Sequence, residues 1–592
     1  MSRLLFVIFF LVHAGGGFCI RGDADASEGS VSEAGTGEAG TGDSGDVALL
    51  PPTTVIYAEL TDPISLISLV FDHPLRQKIE ALEPYQSAIQ SPGYKSFLFG
   101  RAMLENQLQM SWREAVEALL AKRVTVAFDL TTNSPVAIIH GKDAASMKLF
   151  SEKLLEFAKL TPNADQIRES AYRGIPVYKI QNVLYGISED RMIITNQPDL
   201  GREVIDRKFD QGASLLDNPR FDSAWQTRPT EALAWAFADV EVLRAAAGKQ
   251  FEDRINNPVF ELLVGGIQSV LAKSVYATAA LKGNAEAVSL TLSTPFKPEW
   301  VPEYREYYFG VDATGRGPAV PEIDQTLFEM STYRDFSEMW LRAGDLFDAD
   351  INDGFAQADA NLGTLFAGRD FGEEILGSFE SEVAVVATRQ DFSNQLPRPT
   401  LKLPALAAVF QLKQPEKMTR ELRRIFQSLI GFLNVVGAMN GQNQLELDME
   451  KLDQKAELVT SSFVPEADEE ASTDAELIFN FSPSIGFSGA RFVIASSASL
   501  ARELVQAKSD GPSTTADNTN GILHANVLQE ILSDNREQLV SQNMLEDGNS
   551  REEAEAVIDL FVQVVGYLEA MSIRLTPSDD LLEAELQVQV AP

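Results

Sequence analysis

Two hydrophobic rhythms run along the chain, one repeating every second residue and one every three to four, and they follow each other in a recurring order. Residues 55–58, Val-Ile-Tyr-Ala, form a short apolar run behind Leu49-Leu50-Pro51-Pro52 and predict a strand. A Pro63-led helix carrying Leu66, Ile67, Leu69 and Val70 follows. Residues 124–130 and 136–140 are strand-like and flank the turn-former Asn133-Ser134-Pro135, so they are expected to pair as a hairpin. Asp143 is placed to cap the next helix, where Met147, Phe150, Leu154, Phe157 and Ala158 recur at helical spacing and make one apolar stripe.

The order returns in the second half. Residues 383–388 and 406–412 read as strands around a Pro-rich connector, and the helix after Pro415 sets Met418, Leu422, Ile425, Leu429 and Leu433 on one face. The closest echo lies 300 residues apart. Residues 184–194, LYGISEDRMII, align with residues 484–494, SIGFSGARFVI, and residues 200–205, LGREVI, fall on residues 500–505, LARELV. Each shared feature has a local reason. The apolar pairs are core faces, Glu189-Asp190 and Gly489-Ala490 are hairpin turns, and Asp199 or Ser499 is expected to cap the helix that follows. Glu203 and Glu503 are then expected in the first helical turn, where the helix dipole favours a carboxylate.

Both halves end in paired strand-like segments, 274–280 with 288–293 and 571–575 with 582–590. Hairpins separated by helices predict an α+β fold of two related halves, each an antiparallel sheet with helices packed against it. The expected bounds are 48–298 and 321–592. An aromatic connector at 299–320, with Trp300, Tyr304, Tyr307, Tyr308 and Phe309, is expected to act as glue between them.

The N-terminus adds an address. Arg3, the apolar run 4–12 and the small-residue stretch 14–17 have the three-part layout of a secretory signal. Cleavage is expected after Ala26, giving a signal peptide at 1–26, with a cut near Gly17 as the competitor. Residues 27–47 collapse to Gly, Ser, Thr, Ala and acids, which predicts a disordered acidic linker. Cys19 is the chain's single cysteine, and the bulky Phe18 before it argues against a lipid anchor. Export to the periplasm, cell surface or medium follows from this reading. The Leu-Pro opening before a Tyr-bearing strand, the repeated strand-turn-strand-helix units and the signal together resemble large exported bacterial proteins assigned only to a domain of unknown function. The resemblance implies no activity and no functional residue.

Of 592 residues, 86 are acidic and 49 basic, a formal net charge of -37. Such a field repels phosphate backbones and anionic headgroups, which argues against nucleic-acid and membrane-surface binding. Residues 259–281 and 425–439 are the most span-like, but Glu261, Lys273, Gln427 and Asn434 interrupt them, so both are read as core-facing helices and no integral membrane segment is expected.

Catalytic signatures are sparse. His73, His140 and His524 are far apart in sequence, no H-E-x-x-H or G-x-S-x-G is present, and residues 310–317 offer Arg-Gly where a phosphate-binding loop needs Lys-Ser or Lys-Thr. One partial ligand pattern stands out: Asp348, Asp350, Asn352 and Asp359 approximate the alternating oxygens of a calcium loop, although Asp353 sits where the turn needs Gly. The expectation is a non-enzymatic exported protein without a resident cofactor, binding or scaffolding an unknown envelope or extracellular partner. A carboxylate-dependent hydrolase, for which Glu59, Asp129 and Asp239 near strand ends are candidates, and a calcium-stabilised envelope protein are the alternatives.

Overall fold

The computed structural model describes residues 45–159, 167–247, 256–366, 368–453, 456–467, 469–508, 516–578 and 580–591. The predicted signal peptide at 1–26, and the linker at 27–47 apart from residues 45–47, lie outside them. The chain divides into two compact units, the first within Met1–Phe251 and Ser274–Pro295, the second within Glu252–Lys273 and Phe296–Pro592.

The first unit holds β1 (Thr54–Leu60), β2 (Arg123–Asp129), β3 (Ser134–His140), β4 (Arg168–Tyr172), β5 (Ile175–Ile180), β6 (Val183–Ser188), β7 (Arg191–Thr195), β8 (Ala234–Ala238), β9 (Ala277–Gly283) and β10 (Ala287–Pro295). Every described pairing within it is antiparallel, in the order β4-β5-β6-β7-β3-β2-β1-β8-β9-β10. The expected hairpin of β2 with β3 is present, and Asp143 caps α1 (Ala144–Lys159) through Ser146 N at 2.7 Å.

Successive strand residues face opposite sides, and this separates two cores. Ile193, Ile138 and Ile175 meet α2 (Pro198–Asp210) on one face, together with Tyr57, Trp235, Phe237 and Phe221 of α3 (Pro219–Gln226). Met192, Ile194, Ile139 and Tyr185 meet Met147 of α1 on the other.

The second unit holds β11 (Thr326–Tyr333), β12 (Phe379–Thr388), β13 (Ala405–Leu412), β14 (Leu445–Lys451), β15 (Ala456–Phe463), β16 (Ser484–Ser488), β17 (Arg491–Ala495), β18 (Thr519–His524), β19 (Leu568–Pro577) and β20 (Leu581–Val590). They pair antiparallel in the order β14-β15-β16-β17-β13-β12-β11-β18-β19-β20.

Three helices matter for its core: α4 (Pro258–Lys273), α5 (Ala349–Leu365) and α6 (Pro415–Met439), with α7 (Ala498–Gln506) covering β15 to β17 from the opposite side to α6. Leu458 and Val493 face α7, while their neighbours Val459 and Phe492 face α6.

Several expectations change here. The buried stripe of α6 is Met418, Leu422, Phe426 and Ile430, a straight i+4 ridge, and Leu433 is exposed together with Phe432, Val435, Val436 and Met439. Only the first part of residues 425–439 therefore faces the core. The cap of α7 is Ser497, which accepts from Leu500 N at 3.3 Å, rather than Ser499; α2 begins at Pro198 without a side-chain cap, with Asp199 already inside it. Glu203 and Glu503 consequently fall beyond the first turn. Glu503 lies on the exposed side of α7, where partial desolvation, aided by Asp324, raises its carboxyl pKa.

The 299–320 strap is core of the second unit. Tyr307, Tyr308 and Phe309 are wholly buried against α4, which the sequence reading assigned to the first half. A Cβ on Gly266 would come within 2.4 Å of the Tyr308 ring, which explains a helix-weakening glycine there. Beside it, buried Glu261 accepts from Arg305 Nε and Nη2 at 2.7 and 3.0 Å and from Tyr307 Oη at 3.0 Å. Arg334, also buried, is held by the carbonyls of Leu262 and Tyr333, by Asn518, and by the face of Tyr308 at 3.5 Å; desolvation lowers its pKa. Among the described residues no helix is long and apolar enough to cross a membrane.

Candidate functional site

The residues singled out by sequence are mostly committed to structure. Asp348 accepts from Ile351 N at 3.1 Å at the start of α5, Asp350 and Asn352 lie in its first turns, and Asp359 accepts from Trp340 Nε1 at 3.2 Å. On a helix rising 1.5 Å per residue, Asp350 and Asp359 stand roughly 13 Å apart along the axis, whereas a calcium loop curls its oxygens around one point. Among the described residues no group of three His, Cys, Asp or Glu side chains is placed to hold a metal ion.

Glu59 is wholly buried between Arg228, Arg123 and Tyr57 Oη. Asp129 accepts from Thr53, from Thr132 N and from the Thr132 hydroxyl, and Asp239 pairs with Arg220 and caps Val242. His73 accepts from Leu75 N and reaches the Ala285 carbonyl, and His524 precedes a helix at Ala525–Asp534 without capping it.

Among the described histidines, His140 meets acids. Its Nε2 is 2.9 Å from Asp190 Oδ2 and its Nδ1 is 3.9 Å from Asp46 Oδ2, while Lys122 Nζ holds Asp190 at 2.7 Å and Arg191 Nε holds Asp46 at 2.6 Å. Desolvation pushes the Asp190 carboxyl upward, but the hydrogen bonds and charges of Lys122 and His140 together bring it down to about 2. The cluster balances its charges internally, and no described hydroxyl nucleophile joins it, so it fastens the start of the fold at Asp46 to the β6–β7 turn.

The cleft lies elsewhere, in the first unit, where α2 stands away from β5 and β6. It is half open, with a volume of about 180 Å³. Val177, Leu184, Gly186, Ile193, Pro198 and Ile205 form apolar walls, Ser170 and Tyr172 of the edge strand β4 border it, and Gly201 and Arg202 contribute from α2. Two of its hydroxyls are engaged: Thr195 donates to the Pro135 carbonyl at 2.9 Å and accepts from Gln197 N, and Tyr172 donates to Asp206 at 3.0 Å. Arg202 is the single charged side chain among the described lining residues.

In the second unit a glycine stands in a like strand pairing, and there the space beside it is filled. Gly186 pairs with Ile193 and Val177, and Gly486 pairs with Val493 and Leu458, in the same register. A Cβ on Gly186 would find its nearest neighbours at 3.3 to 3.6 Å; on Gly486 it would meet Val505 Cγ2 at 2.3 Å and Leu458 Cδ2 at 2.8 Å. Helix α7 thus lies directly on β15 and β16. In the first unit the wholly buried Val47 and Leu50 share a core cluster with Leu200 and Val204 of α2, so part of that helix's apolar face is spent on them. Sequence reasoning aligned the two segments but missed the cleft. Its one visible trace was Gly201 standing where the other unit has Ala501; the match of Val177 with Leu458 comes from strand pairing.

No family model and no curated protein matches the chain. Among solved structures, crystal form IV of TP0453 is similar at 11% identity with a TM-score of 0.23, covering 42% of this chain and 80% of that one. Crystal form III of TP0453 aligns at 9% identity with a TM-score of 0.22, covering 42% and 78%.

Proposed function

We propose that this chain is an exported, non-enzymatic binding protein of the periplasm or cell exterior, built from two copies of one ten-stranded unit, of which the first keeps an open ligand cleft. The strand order read in each unit supports duplication: with strands numbered from the start of each unit, both run 4-5-6-7-3-2-1-8-9-10. Ser188 opposite Arg191 and Ser488 opposite Arg491 close the two hairpins in one register. The N-terminal signal pattern supports export.

The observation that carries the binding reading is the cleft wall: a mostly apolar surface with no acid, histidine or thiol among the described lining residues. Such a wall can hold a molecule and has no group with which to transform it. The test is thermal unfolding of the full chain against a panel of single-ring compounds, followed by mass analysis of each compound. The expected result is an upward shift for part of the panel, lost in Val177→Phe, with every compound recovered intact. Recovery of a reaction product, or a panel without effect, would overturn the reading.

A further inference from the structure

We infer that the first unit's cleft selects small apolar monocarboxylates, with the ring or branched body between β5–β6 and α2 and the carboxylate on Arg202; this rests on the binding reading given above. Three observations converge. The volume of this half-open cleft, about 180 Å³, suits a single ring with a short substituent, since an apolar cavity of about 150 Å³ admits benzene. The walls contributed by Val177, Leu184, Ile193 and Ile205 offer aliphatic contact to such a body.

The charge is the third and most discriminating. Acids outnumber bases 86 to 49 in the chain, yet the described cleft wall carries one cation and no carboxylate. The neighbouring acids, Asp199 and Asp206, are both engaged, by Arg202 and by the Tyr172 hydroxyl, which leaves the Arg202 guanidinium as the charged group of the wall itself. Arg202 is free to respond. Its present partner is Asp199 on the same helix at 2.9 Å, with side chains 55% and 75% exposed, an arrangement that holds weakly against competition. A guanidinium also offers a carboxylate two parallel N–H donors. The counterpart residue Arg502 instead pairs with Glu450 at 2.6 Å, above a site that Val505 and Leu458 have filled. Selectivity is therefore expected in one unit only.

Calorimetric titration of the full chain with phenylacetate, phenylacetamide and phenethylamine tests this, because the three share a body and differ in charge. Phenylacetate is expected to bind most tightly and phenethylamine least. Arg202→Gln should weaken phenylacetate about fivefold, as a half-exposed ion pair supports, and leave phenylacetamide unchanged. Val177→Phe should remove binding of all three. If that variant loses its fold by circular dichroism, Val177→Leu with Gly201→Ala, which imports the second unit's residues, is expected to weaken all three in its place. Phenylacetamide binding as well as phenylacetate, or Arg202→Gln without effect, overturns the carboxylate assignment and leaves a binding cleft. Absence of binding by all three, or binding indifferent to the filling variants, overturns the cleft itself.

Discussion

Replacing Gly186 and Gly486 by alanine, each alone, asks the two units the same question and should bring unequal answers. At Gly486 the added methyl would approach Val505 Cγ2 at 2.3 Å and Leu458 Cδ2 at 2.8 Å, and both side chains are buried within a filled cluster. Overpacking of that kind costs about 1–3 kcal/mol. Against it stands a gain of roughly 0.4–1 kcal/mol from the smaller conformational freedom of alanine in the unfolded chain, leaving a net loss of about 1–2 kcal/mol. At Gly186 the nearest atoms are the Pro176 carbonyl at 3.3 Å and methyls of Ile175 and Val177 at 3.5 and 3.6 Å, with the cleft alongside to absorb a small shift. There the two terms nearly cancel, and the change should stay within about 0.5 kcal/mol. Urea unfolding read by tryptophan fluorescence is suitable, since Trp225 and Trp235 lie in the first unit and Trp300 and Trp340 in the second. The units can unfold separately, so each transition is fitted on its own. Equal losses from the two variants, or a larger loss from Gly186→Ala, would refute the claim that one site is open and the other filled.

Three further outcomes are expected. Asp190 has a depressed carboxyl pKa when folded, so its contribution is present above the ordinary carboxylate range and is lost as pH falls from about 5 towards 2; screening at a side chain 21% exposed limits it to about 1 kcal/mol, and Asp190→Asn should flatten the stability-against-pH curve over that window. Glu261→Gln should cost about 3–5 kcal/mol by stranding the buried Arg305, whereas Glu261→Leu with Arg305→Met should cost less than the single change, as a double-mutant cycle in urea would show. Ser497→Ala should cost about 1 kcal/mol and the exposed Ser499→Ala less than about 0.5, because only the former caps α7.

What was legible in the chain was local. The β2–β3 hairpin, the Asp143 cap and the matched turns at Glu189 and Gly489 follow from neighbours in sequence, and the structure has them where spacing put them. Leu433 was misplaced because periodicity tells which residues share a face and not where the covering sheet ends. Asp348, Asp350 and Asn352 alternate like loop ligands, yet an acid followed by alanine-rich sequence is equally a helix start, and α5 took that course. The ion cluster was invisible because His140 meets Asp190 from 50 residues away and Arg191 meets Asp46 from 145. The cleft was hidden for a different reason. Both segments carry the same glycine, and openness depends on Val177 against Leu458 and on what else α2 must cover, a difference in packed volume that no single position announces.

Methyl-resolved NMR of the full chain during titration with phenylacetate reads both units at once. The account predicts that signals of Val177, Leu184, Ile193 and Ile205 move progressively to saturation while those of Leu458, Val493 and Val505 stay in place. Stationary signals in the first set, or equal movement in the second, would contradict it.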